Sequence, residues 1–172
     1  MKILIIGGGG LEHAIAWRLA QEGHQIYAAP GNPGIAELGQ LVATTDYLAA
    51  AGSINADLTV VGPEVPLVAG VVDQFRAAKR MIVGPAQDAA QLEGSKIHSK
   101  QFMQRLGIPT ARFARVESVD AGLAALAEFE TPVVIKADGL AAGKGVIIAQ
   151  GRAEAEAAVR SLGPRLVLEE FL

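Results

Sequence analysis

The sequence predicts an α/β protein in which a doubly wound parallel sheet is followed by a small β-α-β-β-α-β domain. Apolar runs alternate with segments of helical periodicity over residues 1–84, which is typical of parallel strands joined by helices. Hydrophobic residues make up 51% of the chain but aromatic residues only 5%, so the core must rely on Val, Ile, Leu and Ala. From about residue 111 the order of the elements changes and includes a hairpin.

The first domain, residues 1–84, is predicted from four strand-like runs: KILII, QIYAA, DLTVVG and MIVG. A helix follows the first run, with Leu11, Ala14, Ile15 and Leu19 on one face. A second helix follows DLTVVG, with a stripe of Leu67, Val71, Phe75 and Ala78. Right-handed crossovers would bring the loops GGGG, PGNPG and GPEVPL together at the carboxyl ends of the strands, where such sheets bind ligands.

Residues 85–110 are predicted to be a connection that carries one helix, with Ser95 as its N-cap and GIP as its end. The second domain, residues 111–172, begins with the strand ARFARV and the helix SVDAGLAALAEF. The runs PVVIKA and GVIIAQ then form a hairpin. A last helix carries Ala155, Ala158, Val159 and Leu162 on one stripe, and RLVLEEFL is the final strand.

Composition excludes several classes of function. A formal net charge of −3 gives no reason to expect nucleic-acid binding, and the lack of cysteine excludes disulfides and thiolate metal sites. The apolar start of MKILIIGGGG is too short to span a membrane and lacks a cleavage signal, so we expect a cytoplasmic protein without a membrane partner. The three histidines have no metal-ligand spacing, and we expect them to be non-catalytic: His13, His24 and His98.

The turn GGGG differs from a dinucleotide-binding fingerprint. Glu12 stands at the third glycine position, and the second strand ends without an acid for a ribose, which argues against NAD. Another ligand's phosphate could still bind at the helix N-terminus, and the alternative is a tight turn without a ligand. The loops PGNPG, with Asn32, and GPEVPL, with Glu64, could likewise be ordinary turns.

The stretch KADGLAAGKGV differs from a phosphate-binding loop, because only three residues separate Gly139 from Gly143 and a strand-like run follows. A glycine-rich hairpin can fold over phosphates with backbone N–H groups and a lysine, but it can also be a flexible tip. Lys96 and Lys100 share one helix face, either as a solvated basic edge or with one of them aimed at a phosphate. Lys136 ends an apolar strand beside the loop.

Taken together, the motifs GGGGLEHA, PGNPG, VVGPEVPLVAGVVD, QLEGSKIHSKQF, VVIKADGLAAGKGVIIA and VLEEFL resemble those of the phosphoribosylamine–glycine ligase family of ATP-grasp enzymes. The resemblance covers the whole chain in family order. It implies a first sheet of the pre-ATP-grasp type and a second domain that acts as the ATP-grasp lid. It also implies ligation of glycine to 5-phosphoribosylamine through a glycyl phosphate, with ATP and Mg²⁺ or Mn²⁺.

The resemblance assigns site residues without a nucleophilic side chain, and it places the metal ligands beyond residue 172. Lys100 and Lys136 would contact the ATP phosphates, the glycine loop would cover them, and the end of the last strand would meet adenine. The implied ATP-binding residues are Lys100, Lys136, Gly139, Gly143, Lys144, Gly145, Glu169, Glu170, Phe171 and Leu172. The implied substrate-binding residues are Gly8, Gly9, Gly10, Asn32, Gly34, Gly62, Pro63 and Glu64.

Two features depart from the family pattern. Leu11 stands where the family usually has Arg, so a cation near the sugar-phosphate loop is lost. Family chains are also more than twice as long, and we therefore expect this chain to be a fragment that is inactive by itself. The alternatives are another ATP-grasp carboxylate–amine ligase, or a nucleotide or sugar-phosphate binding module without chemistry.

Overall fold

A computed structural model describes residues 1–141 and 143–172. The chain divides into two compact units, Met1–Ala90 and Gln91–Leu172. Each unit contains one β-sheet with its own hydrophobic core. In the described part of the chain, no helix combines the length and the apolar character needed to cross a bilayer.

The first unit contains a five-stranded sheet whose paired strands all run parallel, in the order β3-β2-β1-β4-β5. Parallel strands need crossover connections, and the helices between these strands supply them. The strands are β1 (Lys2–Gly7), β2 (Gln25–Pro30), β3 (Gly39–Leu41), β4 (Leu58–Val61) and β5 (Ile82–Val83).

Helices cover both faces of this sheet. Successive residues of its central strand β1 point to opposite faces, so they pack against different helices. The helices are α1 (Gly10–Gln21), α2 (Pro33–Ala36), α3 (Tyr47–Ser53), α4 (Glu64–Val68) and α5 (Val71–Ala77), and α6 (Gln87–Gly94) follows β5. Ile3 and Ile5 pack with α1 and α2, while Leu4 and Ile6 pack with α3 and α5.

Several predictions for this part of the chain were wrong. The interval between β2 and the run DLTVVG contains α2, β3 and α3, so that run is the fourth strand in chain order. The helix predicted after it is broken into α4 and α5 at Gly70, which has a φ of +84°. Residues 85–110 contain two helices, α6 and α7 (Lys96–Leu106), rather than one. The missed elements α2, β3 and α3 are too short to show a clear hydrophobic period.

The second unit contains a four-stranded antiparallel sheet in the order β6-β9-β7-β8. Ser95 caps α7 as predicted, since its Oγ accepts a hydrogen bond from His98 N at 3.1 Å. The elements are α7 (Lys96–Leu106), β6 (Phe113–Val116), α8 (Val119–Ala125) with a 3₁₀ turn (Leu126–Glu128), β7 (Val133–Ala137), β8 (Val146–Ala149), α9 (Arg152–Leu162) and β9 (Leu166–Glu170).

One face of this second sheet packs against α8 and α9. Because side chains alternate along a strand, every second residue points to the opposite face. Val133, Ile135 and Leu168 are buried in the core with those helices. The register pairs Val134 with Glu169 and Lys136 with Val167, so these four side chains share the other face. The final strand ends at Glu170, earlier than predicted, and Phe171 and Leu172 lie beyond it.

Candidate functional site

Two lysines from different elements of the second unit converge on one carboxylate. Lys136 Nζ on β7 lies 2.9 Å from Glu169 Oε2 on β9, and Lys100 Nζ on α7 lies 3.1 Å from the same oxygen. The register explains the first pair, because Lys136 lies two residues along β7 from Val134, which faces Glu169. Thr110 Oγ1 accepts a further hydrogen bond from Lys100 Nζ at 2.6 Å. We call Lys100, Lys136 and Glu169 the lysine pair site.

The lysine pair site is partly enclosed and carries one excess positive charge. The side chains of Lys100 and Glu169 are 11% and 7% exposed, while that of Lys136 is 29% exposed. Lys100 Nζ also lies 5.5 Å from the centre of the Phe113 ring, a favourable arrangement for a cation. Each ammonium has three N–H donors, so the partners in the described part of the chain leave donors on both lysines for an anionic ligand.

The glycine loop joins β7 to β8 as a hairpin, which confirms that prediction. Gly139 and Gly143 adopt positive φ angles of +91° and +78°, which glycine tolerates without strain. The predicted loop 139–145 includes residue 142, which lies outside the described residues. At the base of the hairpin, Ala137 N donates to Gly145 O at 2.7 Å.

Asp138 ties the start of this loop to two other elements. Its Oδ1 accepts hydrogen bonds from Ser95 Oγ at 2.9 Å and Ile97 N at 3.1 Å, and its Oδ2 lies 2.9 Å from Arg165 Nη2. Burial alone would raise the pKa of the Asp138 carboxyl. The hydrogen bonds from Ile97 and Ser95, the Arg165 guanidinium and the Gly139 N–H outweigh burial and hold that pKa below its ordinary value.

The end of β9 is held by Arg112. Glu170 N donates to Arg112 O at 3.0 Å, and Glu170 Oε1 accepts from Arg112 N at 2.7 Å. The Arg112 guanidinium also lies over the Phe129 ring, 4.5 Å from its centre. The backbone N–H of Glu170 is therefore engaged within the protein, whereas Phe171 and Leu172 are exposed after the strand.

In the first unit, the three predicted loops meet at the carboxyl edge of the parallel sheet. Gly31 N donates to Gly7 O at 3.1 Å, and Asn32 Nδ2 donates to Gly8 O at 3.0 Å. A Cβ added to Gly7 would lie 2.7 Å from Pro63 Cδ, so the third loop also contacts the first. The expected convergence of these loops is confirmed, because all three follow neighbouring parallel strands.

Similarity to known proteins agrees with this architecture. The family model described as "Phosphoribosylglycinamide synthetase, N domain" matches residues 1–93, and "Phosphoribosylglycinamide synthetase, ATP-grasp (A) domain" matches residues 94–172. The chain belongs to the phosphoribosylglycinamide synthetase family.

Individual relatives agree with this membership of the phosphoribosylglycinamide synthetase family. All of the chain aligns with phosphoribosylamine–glycine ligases of Xylella fastidiosa strain 9a5c, at 51% identity, and Escherichia coli O6:H1, at 50% identity. It covers 44% of each of these relatives. The crystal structure of phosphoribosylamine–glycine ligase from Thermotoga maritima matches all of this chain and 44% of its own, with a TM-score of 0.82 and 31% identity. The chain thus spans less than half the length of these relatives.

Within this phosphoribosylglycinamide synthetase chain, Asn32 and Gly34 have structural contacts of their own. Asn32 caps α2, since its Oδ1 accepts from Ile35 N at 2.9 Å while its amide nitrogen contacts the first loop. Gly34 packs against the His13 ring, where a Cβ would overlap ring atoms. Asn32 therefore fixes the distance between two of the loops, a role that its position in PGNPG did not indicate.

Glu12 is a buried residue that the sequence analysis considered only as a departure from a motif. Its side chain turns back beneath the glycine turn and accepts a hydrogen bond from Gly9 N. A Cβ at Gly62 would lie 2.5 Å from Glu12 Cδ, so the carboxyl fills the space between the first and third loops. The Gly9 N–H is consequently engaged within the protein. Glu64, in the third loop, is the first residue of α4.

Sequence reasoning also missed Thr110 and Asp138, which position Lys100 and the glycine loop. Both follow recognisable signals, GIP and the end of PVVIKA. Ser95, a partner of Asp138, is 43 residues away in sequence, and Lys100, the partner of Thr110, lies on the preceding helix. Among residues 1–141 and 143–172, the structure shows no group of three or more His, Asp or Glu side chains arranged to hold a metal ion. The described residues therefore supply no three-ligand metal site of their own.

Proposed function

We propose that the protein to which this chain belongs ligates glycine to 5-phosphoribosylamine at the expense of ATP, giving glycinamide ribonucleotide, ADP and phosphate. The observation that carries this proposal is the lysine pair site beside the glycine loop, in a family whose curated relatives are phosphoribosylamine–glycine ligases. Lys100 and Lys136 are held together by Glu169 and retain donors for a polyphosphate.

The second unit would bind ATP. Lys100 and Lys136 would contact its phosphates, and the loop residues Gly139, Gly143, Lys144 and Gly145 would cover them. Two ammonium groups held close together repel each other, and Glu169 offsets only one of the two charges. An anionic triphosphate would therefore bind more tightly than a neutral ligand at the same position.

The segment from Glu169 to Leu172 would meet the adenine base. The apolar side chains of Val134 and Ile148 lie opposite each other on β7 and β8, on the sheet face that also carries Glu169. Ile148 is 45% exposed, so apolar surface is available for a flat ring next to the lysine pair site. Phe171 and Leu172 are exposed, and their backbone N–H and C=O groups could pair with adenine.

The first unit would bind the sugar phosphate at the edge where its three loops meet. The N-terminus of α1 carries partial positive charge, which favours a phosphate near the glycine turn. The proposed contacts are Gly8, Gly9, Gly10, Asn32, Gly34, Gly62, Pro63 and Glu64. Of these, Gly9 and Asn32 already bond within the protein and would act mainly by shaping the loops.

The family resemblance implies a reaction in two steps. A glycine carboxylate oxygen would attack the γ-phosphorus of ATP, giving glycyl phosphate and releasing ADP. The amine of phosphoribosylamine would then attack the acyl carbon, expel phosphate and lose a proton. The lysines would offset charge on the transferring phosphoryl group, so positioning and electrostatics supply the catalysis without a nucleophilic side chain.

The test uses the complete protein and measures its affinity for a non-hydrolysable ATP analogue by calorimetry. Lys136→Met should weaken binding about ten- to a hundredfold, because one charge-assisted contact is lost. Lys79→Met is the matched control, since Lys79 is exposed in the first unit. Equal affinities in both variants would contradict the proposed ATP site. ADP release that requires both glycine and phosphoribosylamine would identify the reaction, and its absence would favour a binding module.

A further inference from the structure

Asp138, which immediately precedes the glycine loop (residues 139–145), is anchored to the N-terminus of the helix that carries Lys100. Asp138 Oδ1 accepts hydrogen bonds from both Ser95 Oγ and Ile97 N, at 2.9 and 3.1 Å. Ile97 is in the first turn of α7, where backbone N–H groups lack helical partners and favour a carboxylate. The side chain of Asp138 is 8% exposed, so water competes little for these bonds.

A second contact ties Gly139, the first residue of the loop, to the same helical turn. Lys96 Nζ donates to Gly139 O at 2.9 Å. Because Lys96 and Lys100 are four residues apart on α7, they share one helix face. The same helix therefore contacts the loop through Lys96 and contributes Lys100 to the lysine pair site. Lys100 Nζ lies 3.1 Å from Glu169 Oε2.

Arg165 completes the anchor from the segment that leads into β9. Its Nη2 lies 2.9 Å from Asp138 Oδ2, and its carbonyl oxygen accepts from Asp138 N at 2.9 Å. Both oxygens of Asp138 are thus engaged, one by α7 and the other by Arg165. Asp138 links the loop to α7 and to β9, the two elements that supply Lys100 and Glu169.

We propose that Asp138 is a positioning residue that sets the glycine loop in register with the lysine pair site, so that loop and lysines contact the same polyphosphate. The proposal rests on the function proposed above. Asp138 touches no substrate in this scheme, since it acts through Gly139 and the loop that follows. Its loss should therefore weaken binding of the phosphate groups while leaving binding of the nucleoside unchanged.

The experiment compares two ligands on the complete protein: the non-hydrolysable triphosphate analogue and adenosine, which lacks phosphates. Asp138→Ala should weaken binding of the analogue about tenfold and change adenosine binding less than about twofold. Asp120→Ala is the matched control, because Asp120 likewise lies at the first turn of a helix, here as a residue of α8 itself, but is exposed, whereas Asp138 contacts the first turn of α7 from the β7–β8 connection. This control should leave both affinities unchanged.

Two further variants keep the test informative if Asp138→Ala folds poorly. Lys96→Met removes the contact with Gly139 O and leaves Asp138 intact, so it should also weaken the analogue selectively. Asp138→Asn keeps an oxygen for the Ile97 N–H and should restore part of the affinity. A merely structural role would lower the folded fraction and leave the ratio of the two affinities unchanged, which would overturn the proposal. If the wild-type protein bound neither ligand, the proposed function itself would fail.

Discussion

Lys136 Nζ lies 2.9 Å from Glu169 Oε2, and this pair joins neighbouring strands on the face opposite the α8–α9 core. Lys100 shares the same carboxylate oxygen, so the two ammonium groups depend on one negative charge. Glu169→Gln would leave both lysines partly buried without that charge. We expect the free energy of opening β9, measured by amide hydrogen exchange, to fall by about 3 kcal/mol.

A surface ion pair of the same unit provides the control for this measurement. Glu156 Oε1 lies 3.4 Å from Arg152 Nε on α9, with both side chains about half exposed at 46% and 48%. Glu156→Gln should lower stability by only about 0.4 kcal/mol, since solvent screens such pairs. Similar losses in the two variants would show that burial adds nothing to the Glu169 interactions.

Gly62→Ala should destabilise the first unit, because the added Cβ would overlap the buried Glu12 side chain. We expect a loss of about 2 kcal/mol from overpacking, in urea unfolding followed by the fluorescence of the single tryptophan, Trp17. Gly52→Ala in α3 is the control, since its Cβ would meet only the flexible end of Arg80, at 3.4 Å. That change should stabilise by about 0.5 kcal/mol. An unaltered unfolding curve for Gly62→Ala would contradict the packing of Glu12.

The stability contribution of Asp138 should depend on pH. Because its carboxyl has a lowered pKa in the folded protein, the contribution is complete above the pKa of the unfolded chain and is lost as the pH falls toward the folded pKa. The stability difference between wild type and Asp138→Asn should thus be largest above about pH 5 and shrink below about pH 4. Urea unfolding followed by circular dichroism measures it, and a difference that is constant with pH would contradict the expectation.

Leu11→Arg should strengthen sugar-phosphate binding if the first unit holds the site proposed for it. Leu11 is the second residue of α1 and is 60% exposed beside the glycine turn, at the position where the family resemblance implies Arg. We expect affinity for ribose 5-phosphate, measured by calorimetry on the complete protein, to rise about tenfold. The gain should shrink at high salt. An equal gain in Leu11→Gln would show that charge is not the cause.

Much of this protein was predictable because its signals are local. The long apolar runs predicted β1, β2, β4 and β7, and Ser95 predicted the start of α7. The motifs around Gly139 and Pro63 identified the family, and the order of strands and helices in the first unit predicted that three loops would meet at one sheet edge. Each of these inferences rests on spacing within some fifteen residues or on the geometry common to parallel sheets.

Only the tertiary structure decided which groups neutralise one another. Glu169 is 33 residues from Lys136 and Asp138 is 43 from Ser95, separations across which no hydrophobic period carries information. The burial of the Glu12 carboxyl was likewise not predictable, because the space that it fills is bounded by Gly62 in the loop after β4. Sequence by itself predicted the longer strands and helices and the family, since these depend on local pattern, but it missed the short elements α2, β3 and α3. The tertiary structure determined the ion pairs and the contacts of Asp138. A buried charge needs a partner, and the topology of the fold decides which partner lies close enough.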